Sequence, residues 1–236
     1  IHQGRVLGTS TPYNMGWLKQ QVFDPWQRGR APDMEVVQFP STVNPAFPQE
    51  EFERMRGVLP AWRFNMFYRG QFDRPAGLIY SDFVDLYRDE GGHKVKPFKV
   101  PPAWPRHVGL DFGAVNTASV WLARDPDRDI FYAYRATLGG GKTTAQHAAE
   151  ALAAAKGVNV LTWHGGSPGE TQQRMDGRAA GVPVQDPPFG DVEAGLDRVV
   201  AFFKAFRLFV FDDLLGLLDE LGTYSRDVGE DGLPTE

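Results

Sequence analysis

Cysteine is absent from the 236-residue chain. That excludes disulfide bonds and thiolate metal sites, so a bound metal would rest on histidines and carboxylates. No apolar run approaches the roughly 18 residues a membrane span needs, and no basic-then-apolar leader opens the sequence, so a soluble protein without membrane contact is expected. An excess of basic charge is missing too. The formal net charge is -5, which argues against a strong non-specific nucleic-acid binder but leaves room for a local basic surface. The charge is uneven: from Asp191 onward eleven acids stand against four bases, whereas residues 50–110 carry ten bases against eight acids. A polyanionic partner would therefore touch the middle of the chain. Internal repeats and low-complexity tracts are also lacking, and the length suits one good core or one domain with a piece of another.

The opening stretch IHQGRVLGTSTPYNMGWLKQQVF reads as a short strand, a Ser/Thr turn, Pro12 and a helix around Trp17 to Phe23. In NPAFPQEEFERMRGVLP, Pro48 suits the first helical position and the acids after it suit the positive end of a helix. Phe52, Met55 and Leu59 share one face until Pro60 stops it. Glycine and proline then recur from Gly70 to Pro105, with short extended pieces such as GLIYSDF between them. A domain boundary is expected near residue 75, with residues 1–75 before it and 76–236 after it.

From His107 the pattern sharpens. HVGLDFG, TASVWLA and DIFYAYRA read as three strands of an antiparallel meander, the last two joined by the turn residues DPDRD. TTAQHAAEALAAAKG reads as a helix with Thr143 or Thr144 as cap and Gly157 as stop. The strand NVLTW, the helix PGETQQRMDGRAAG, the short strand GVPVQD, the helix DVEAGLDRVVAFFKA capped by Asp191, the strand RLFVF and the helix DLLGLLDELGTY follow. Three strands followed by alternating helices and strands describe an α/β fold of the ribonuclease H type, a mixed sheet with helices on both faces.

In such a fold the first strand is central, and Asp111 ends it. A carboxylate there either caps a turn or holds a metal, and Gly113 would leave room for a ligand near the backbone. Phosphodiester hydrolysis by two metal ions needs a central carboxylate of this kind, able to bridge ions about 3.5 to 4 Å apart. VLTWHGGSPGE offers two partners from the neighbouring strand: His164, otherwise a half-buried turn histidine, and Glu170, otherwise a first-turn glutamate favouring the helix dipole. Glu150 is a weaker candidate, equally explained by a solvated helix face.

Two segments imitate a nucleotide site. ATLGGGKT, residues 136–143, fits a loose phosphate-loop pattern, and RLFVFDD resembles the apolar strand and acidic pair of its magnesium partner. The glycines would however follow the outer strand of a meander, the wrong place to hold a nucleotide over a sheet. They then read as a flexible turn, Lys142 as solvated or touching a DNA backbone, and Asp212 and Asp213 as caps of the last helix. The DFG triplet lacks the other protein-kinase elements.

Taken in order, these segments resemble the large terminase subunit of tailed bacteriophages and prophages, the motor-nuclease that packages double-stranded DNA. GTSTPYNMGWL is similar to the end of its ATPase core, and STVNPAFPQEEFERMRGVLPAWRFNMFYRGQF to its connecting subdomain. GLIYSDF is similar to the entry of the nuclease, VGLDFG to its first metal-binding strand, and VFDDLLGLLDELGTYSRD to its late helix. The resemblance implies a ribonuclease H-like nuclease domain preceded by a small ATPase and linker remnant, with the ATPase machinery upstream. It implies cleavage of duplex DNA with two Mg²⁺ or Mn²⁺ ions on Asp111, assisted by Glu170 or His164, and DNA contacts at Lys142 and Arg174. The portal protein and small terminase subunit are implied as partners, in the host cytoplasm and transiently at the procapsid portal. The chain departs from the family pattern at the second acid, where His164 and Gly165 stand, and a further family acid is expected beyond Glu236. The competing readings are a nucleotide-binding module relying on Lys142 and a non-catalytic docking domain of the packaging motor.

Overall fold

The computed structural model describes residues 4–226 apart from 14, 76, 114, 168 and 188–190. Two compact units divide the chain, one formed by residues 1–79 with 219–236 and the other by residues 80–218.

In the first unit the expected opening strand does not form. Residues 4–13 take no regular structure, and Val6 and Leu7 are exposed, because no neighbouring strand among the described residues completes their hydrogen bonds. A π-helical turn, Leu18–Phe23, runs into α1 (Asp24–Gln27), where Lys19 and Asp24 pair at 2.9 Å. Helix α2 (Gln49–Val58) follows the sequence reading, except that Pro48 is its N-cap and the first helical position is Gln49. Pro60 ends α2 as expected, but it also starts α3 (Ala61–Arg69), since its carbonyl accepts the Phe64 N–H at 3.0 Å. A proline that cannot continue one helix can still precede the next, and this helix went unread in the sequence. Phe52 and Phe64 meet edge to face with centroids 4.9 Å apart, and Phe64 stacks on Tyr68 at 5.5 Å.

The second unit is built on a six-stranded mixed sheet of β1 (Lys94–Val95), β2 (Arg106–Asp111), β3 (Asn116–Asp125), β4 (Ile130–Gly140), β5 (Val160–Gly165) and β6 (Leu208–Phe211), ordered β1-β6-β4-β3-β2-β5. β2, β3 and β4 form the expected antiparallel meander, and β5 and β6 join in parallel to β2 and β4 respectively. β2 is interior but lies one place from the end of this order. The segment read as the strand GVPVQD is reduced to a single parallel bridge, from Gln185 to His164 of β5. β1 is too short to show a period in sequence and is held by parallel pairing to β6.

Helices cover both faces. Val108, Phe112, Trp121 and Trp163 are buried on one of them, with Ala148 of α4 (Thr144–Ala155) and with Val182 and Val184, which follow α5 (Thr171–Ala179). Burying each such large apolar side chain stabilises the fold by roughly 1.5–3 kcal/mol. Trp121 and Trp163 meet edge to face at 5.2 Å. On the opposite face Phe131 of β4 packs on Phe202 of α6 (Val192–Lys204) at 5.3 Å, while its neighbour Tyr132 stacks on Trp104 on the first face. Thr143 is the α4 cap: its hydroxyl accepts the Gln146 N–H, and the Gln146 side chain returns a bond to the Thr143 N–H. Asp191 caps α6 as expected by accepting the Glu193 N–H at 2.9 Å. The last helix, α7 (Leu215–Thr223), spans the division between the two units.

Candidate metal centre

Asp111 is the last residue of β2, paired with Ala118 of β3. On its other side β2 runs parallel to β5, with Gly109 beside His164 and Leu110 beside Gly165. Side chains alternate along a strand and keep the same face as their cross-strand neighbours, so His107, Gly109 and Asp111 share a face with Thr162 and His164. The bond between His107 Nδ1 and Thr162 Oγ1, 2.9 Å, lies on that face. Asp111 and His164 therefore stand on adjacent strands, offset by two residues, which puts their Cα atoms on the order of 8 Å apart.

Asp111 is exposed, and its carboxylate has no hydrogen-bond or ion-pair partner among the described residues. A turn-capping aspartate would accept a backbone N–H, so this carboxylate is not explained as a cap. His164 is half-buried, with Nδ1 3.0 Å from the carbonyl oxygen of Asp186. A carbonyl only accepts, so Nδ1 carries the proton, and in the neutral ring Nε2 then keeps its lone pair, the tautomer of a metal-ligating imidazole.

Glu170 sits elsewhere. Its Oε2 accepts the Ser167 N–H at 2.6 Å. A Cβ built on Gly166 would fall 2.9 Å from Arg174 Nη1, 3.0 Å from Glu170 Oε2 and 3.2 Å from a Phe112 ring carbon, which places the glutamate on the Phe112 side of the turn after β5. Glu170 is thus a loop clip in this geometry, while Asp111 and His164 share the opposite face. Arg174 is buried, its guanidinium committed to Ser167, Thr171 and Asp186. Its placement gives a DNA phosphate no direct access.

Lys142 donates to both carboxylate oxygens of Glu150, at 2.6 and 2.9 Å, and this exposed pair holds the Glu150 pKa below the usual carboxylate range. The lysine borders an open cleft of about 690 Å³ lined also by Phe112, Gly113, Thr117, Thr143 and Asp176. With Lys142 paired and Thr143 used as a cap, the glycine run does not form a phosphate loop. Asp212 is not a helix cap either. It accepts from Tyr87 Oη and Lys96 Nζ, both at 2.6 Å, and Asp213 makes no capping bond among the described residues. Gly113 has a structural cause, since a Cβ there would lie 2.7 Å from the Asn116 carbonyl oxygen. Among the described residues no group of three histidines or carboxylates converges as a metal cage, and no helix is long and apolar enough to cross a membrane.

No protein-family model and no curated protein matches the chain. Solved structures do. The nuclease domain of the P22 large terminase superimposes with a TM-score of 0.53 at 22% identity, over 69% of this chain and 85% of that one. The chain has the fold of a large terminase nuclease domain. A large terminase from a thermophilic bacteriophage matches with a TM-score of 0.57 at 17% identity over 93% of this chain, which spans about half, 54%, of that protein. The large terminase nuclease of the thermophilic phage G20c matches with a TM-score of 0.50 at 16% identity, over 68% of this chain and 88% of that one. Within this terminase-like nuclease fold, β2 and β5 bring Asp111 and His164 to one face and leave Glu170 and Arg174 in the turn beside it. Sequence reading missed the line His107, Thr162, His164. Its signal was the period-two spacing of HVGLD and TWH, visible only once the two strands are known to pair.

Proposed function

We propose that the chain is a metal-dependent endonuclease acting on double-stranded DNA, as the nuclease part of a packaging motor. The observation that supports this most is the Asp111 carboxylate, unpartnered among the described residues, beside an imidazole whose neutral form has its Nε2 lone pair available, on one face of a terminase-like sheet. Asp111 and His164 would hold the cation, and Glu170 is the less favoured second ligand because its carboxylate is already bonded. A site with two protein donors suits a divalent ion that keeps waters and takes its remaining oxygens from substrate phosphate. Imidazole in the donor set favours Mn²⁺ over Mg²⁺. When bound, a pair of such ions supplies an activated water and stabilises the leaving 3′ oxygen.

The chain's own groups do the rest. Asp111 would hold the cation that takes the reacting phosphate at the end of β2. His164, held from Nδ1, presents Nε2 in one orientation as ligand or as acceptor for the attacking water. Lys142, once released from Glu150, contacts the DNA backbone with little base reading. In the assembled motor the portal protein and the small terminase subunit would place this centre on the genome, in the host cytoplasm at the procapsid portal.

The test is plasmid nicking with Mn²⁺. Activity in the parent chain that vanishes in Asp111→Ala, falls strongly in His164→Gln and survives in Glu170→Gln is the expected pattern. Nicking that persists in Asp111→Ala would reject the reading.

A further inference from the structure

Arg174 stands buried in α5, its side chain 5% exposed. A charged group is costly to bury, and an apolar residue would fill the space as well if packing were its only task. Each arm of the fork has a fixed target. Nη1 donates to the Ser167 carbonyl at 2.6 Å and Nη2 to Thr171 Oγ1 at 3.2 Å, which ties down the turn after β5. Nε lies 2.7 Å from Asp186 Oδ1. One turn further along α5, Arg178 Nε donates to the Val184 carbonyl at 2.6 Å, so two arginines grip the run 184–186. That same run carries the carbonyl of Asp186 that receives the His164 Nδ1 proton at 3.0 Å, one residue after the bridge from Gln185 to His164.

We propose that Arg174, through its contact with the Asp186 side chain, is a positioning residue that fixes the ring and tautomer of His164. The inference rests on the reading of His164 as a ligand or water acceptor. Its physical content is that the carbonyl selects a protonated Nδ1 only while residue 186 is held in place. Free imidazole in water has no such constraint, so loosening residue 186 lets the proton redistribute and the ring turn. Arginine is required because lysine offers one point charge where two directed donors and a separate charge contact with Asp186 are used. Gly166 belongs to the same device, since a side chain there would collide with Arg174 Nη1.

The experiment is ¹⁵N–¹H NMR of the histidine rings, with His164 assigned through His164→Gln, in the parent chain, Arg174→Lys and Asp186→Ala. Mn²⁺ titration of the same samples accompanies it. Asp186 is 74% exposed, so its replacement removes no buried side chain while Arg174 keeps its bonds to Ser167 and Thr171, and the test stays valid if Arg174→Lys fails to fold. The parent should show neutral His164 protonated at Nδ1. Both variants should show a mixture of tautomers and Mn²⁺ binding weaker by about tenfold or more. An Nε2-protonated ring in the parent, or an unchanged tautomer in Asp186→Ala, would overturn the proposal. If the tautomer shifts in both variants while His164→Gln binds Mn²⁺ as tightly as the parent, positioning by Arg174 stands and the ligand reading falls.

Discussion

Asp111 carries an unusual amount of information for one exposed side chain. Its neighbours in β2 are fixed on both sides by strand pairing, yet its carboxylate bonds to nothing among the described residues. Replacing it by asparagine should therefore leave stability within about 0.5 kcal/mol, read from urea unfolding, while abolishing nicking. A structural aspartate would show the opposite pattern. His93 makes a contrasting case. It is buried against Phe203 and Phe206, accepts the Val84 N–H at Nδ1 and donates from Nε2 to the Phe203 carbonyl, and burial pushes its pKa below 6.5. The unfolded chain binds that proton more readily than the folded one. Stability from His93 is thus complete above about pH 6.5 and declines as the pH falls below it. Urea midpoints between pH 7.5 and 5.5 should drop in the parent and drop less in His93→Gln.

Elements decide which residues meet, and here sequence reading reached unequal depth. The meander, α4 with its cap, α6 with Asp191, and β5 were legible because each is long enough to show a period and is bounded by turn residues, and β6 because LFVF is an unbroken apolar run between charged residues. Helix α3 was hidden by Pro60, which is a stop and a start at once, and β1 by its two-residue length. Asp111 was legible as a strand-end acid. The choice between His164 and Glu170 was not, because it depends on register across β2 and β5 and on a bond inside the following turn, neither of which a linear string displays. That turn gives its own prediction. Gly166 holds a φ of +79° and has no room for a Cβ, so Gly166→Ala should destabilise by about 1–3 kcal/mol and weaken Mn²⁺ binding with it. On α4, Glu150→Gln removes the carboxylate charge that holds Lys142, and duplex DNA binding measured by anisotropy should tighten a few-fold. The gain should vanish in the Lys142→Ala background.

For the whole molecule, a formal net charge of -5 is a brake on indiscriminate DNA binding rather than an argument against DNA. Affinity should then be modest and steeply salt-dependent, and Lys142→Ala should reduce the slope of log K against log salt by about one. The fold matches large terminase nucleases at low identity, so it accounts for the scaffold, and the proposed chemistry would rest on the face shared by β2 and β5. Diffraction from crystals soaked in Mn²⁺, recorded at the manganese edge, tests that claim most directly. The account predicts an anomalous peak between the Asp111 carboxylate and His164 Nε2, with a second peak within about 4 Å if two ions bind. A peak seated on Glu170 without His164, or none near Asp111 at high Mn²⁺, would contradict it.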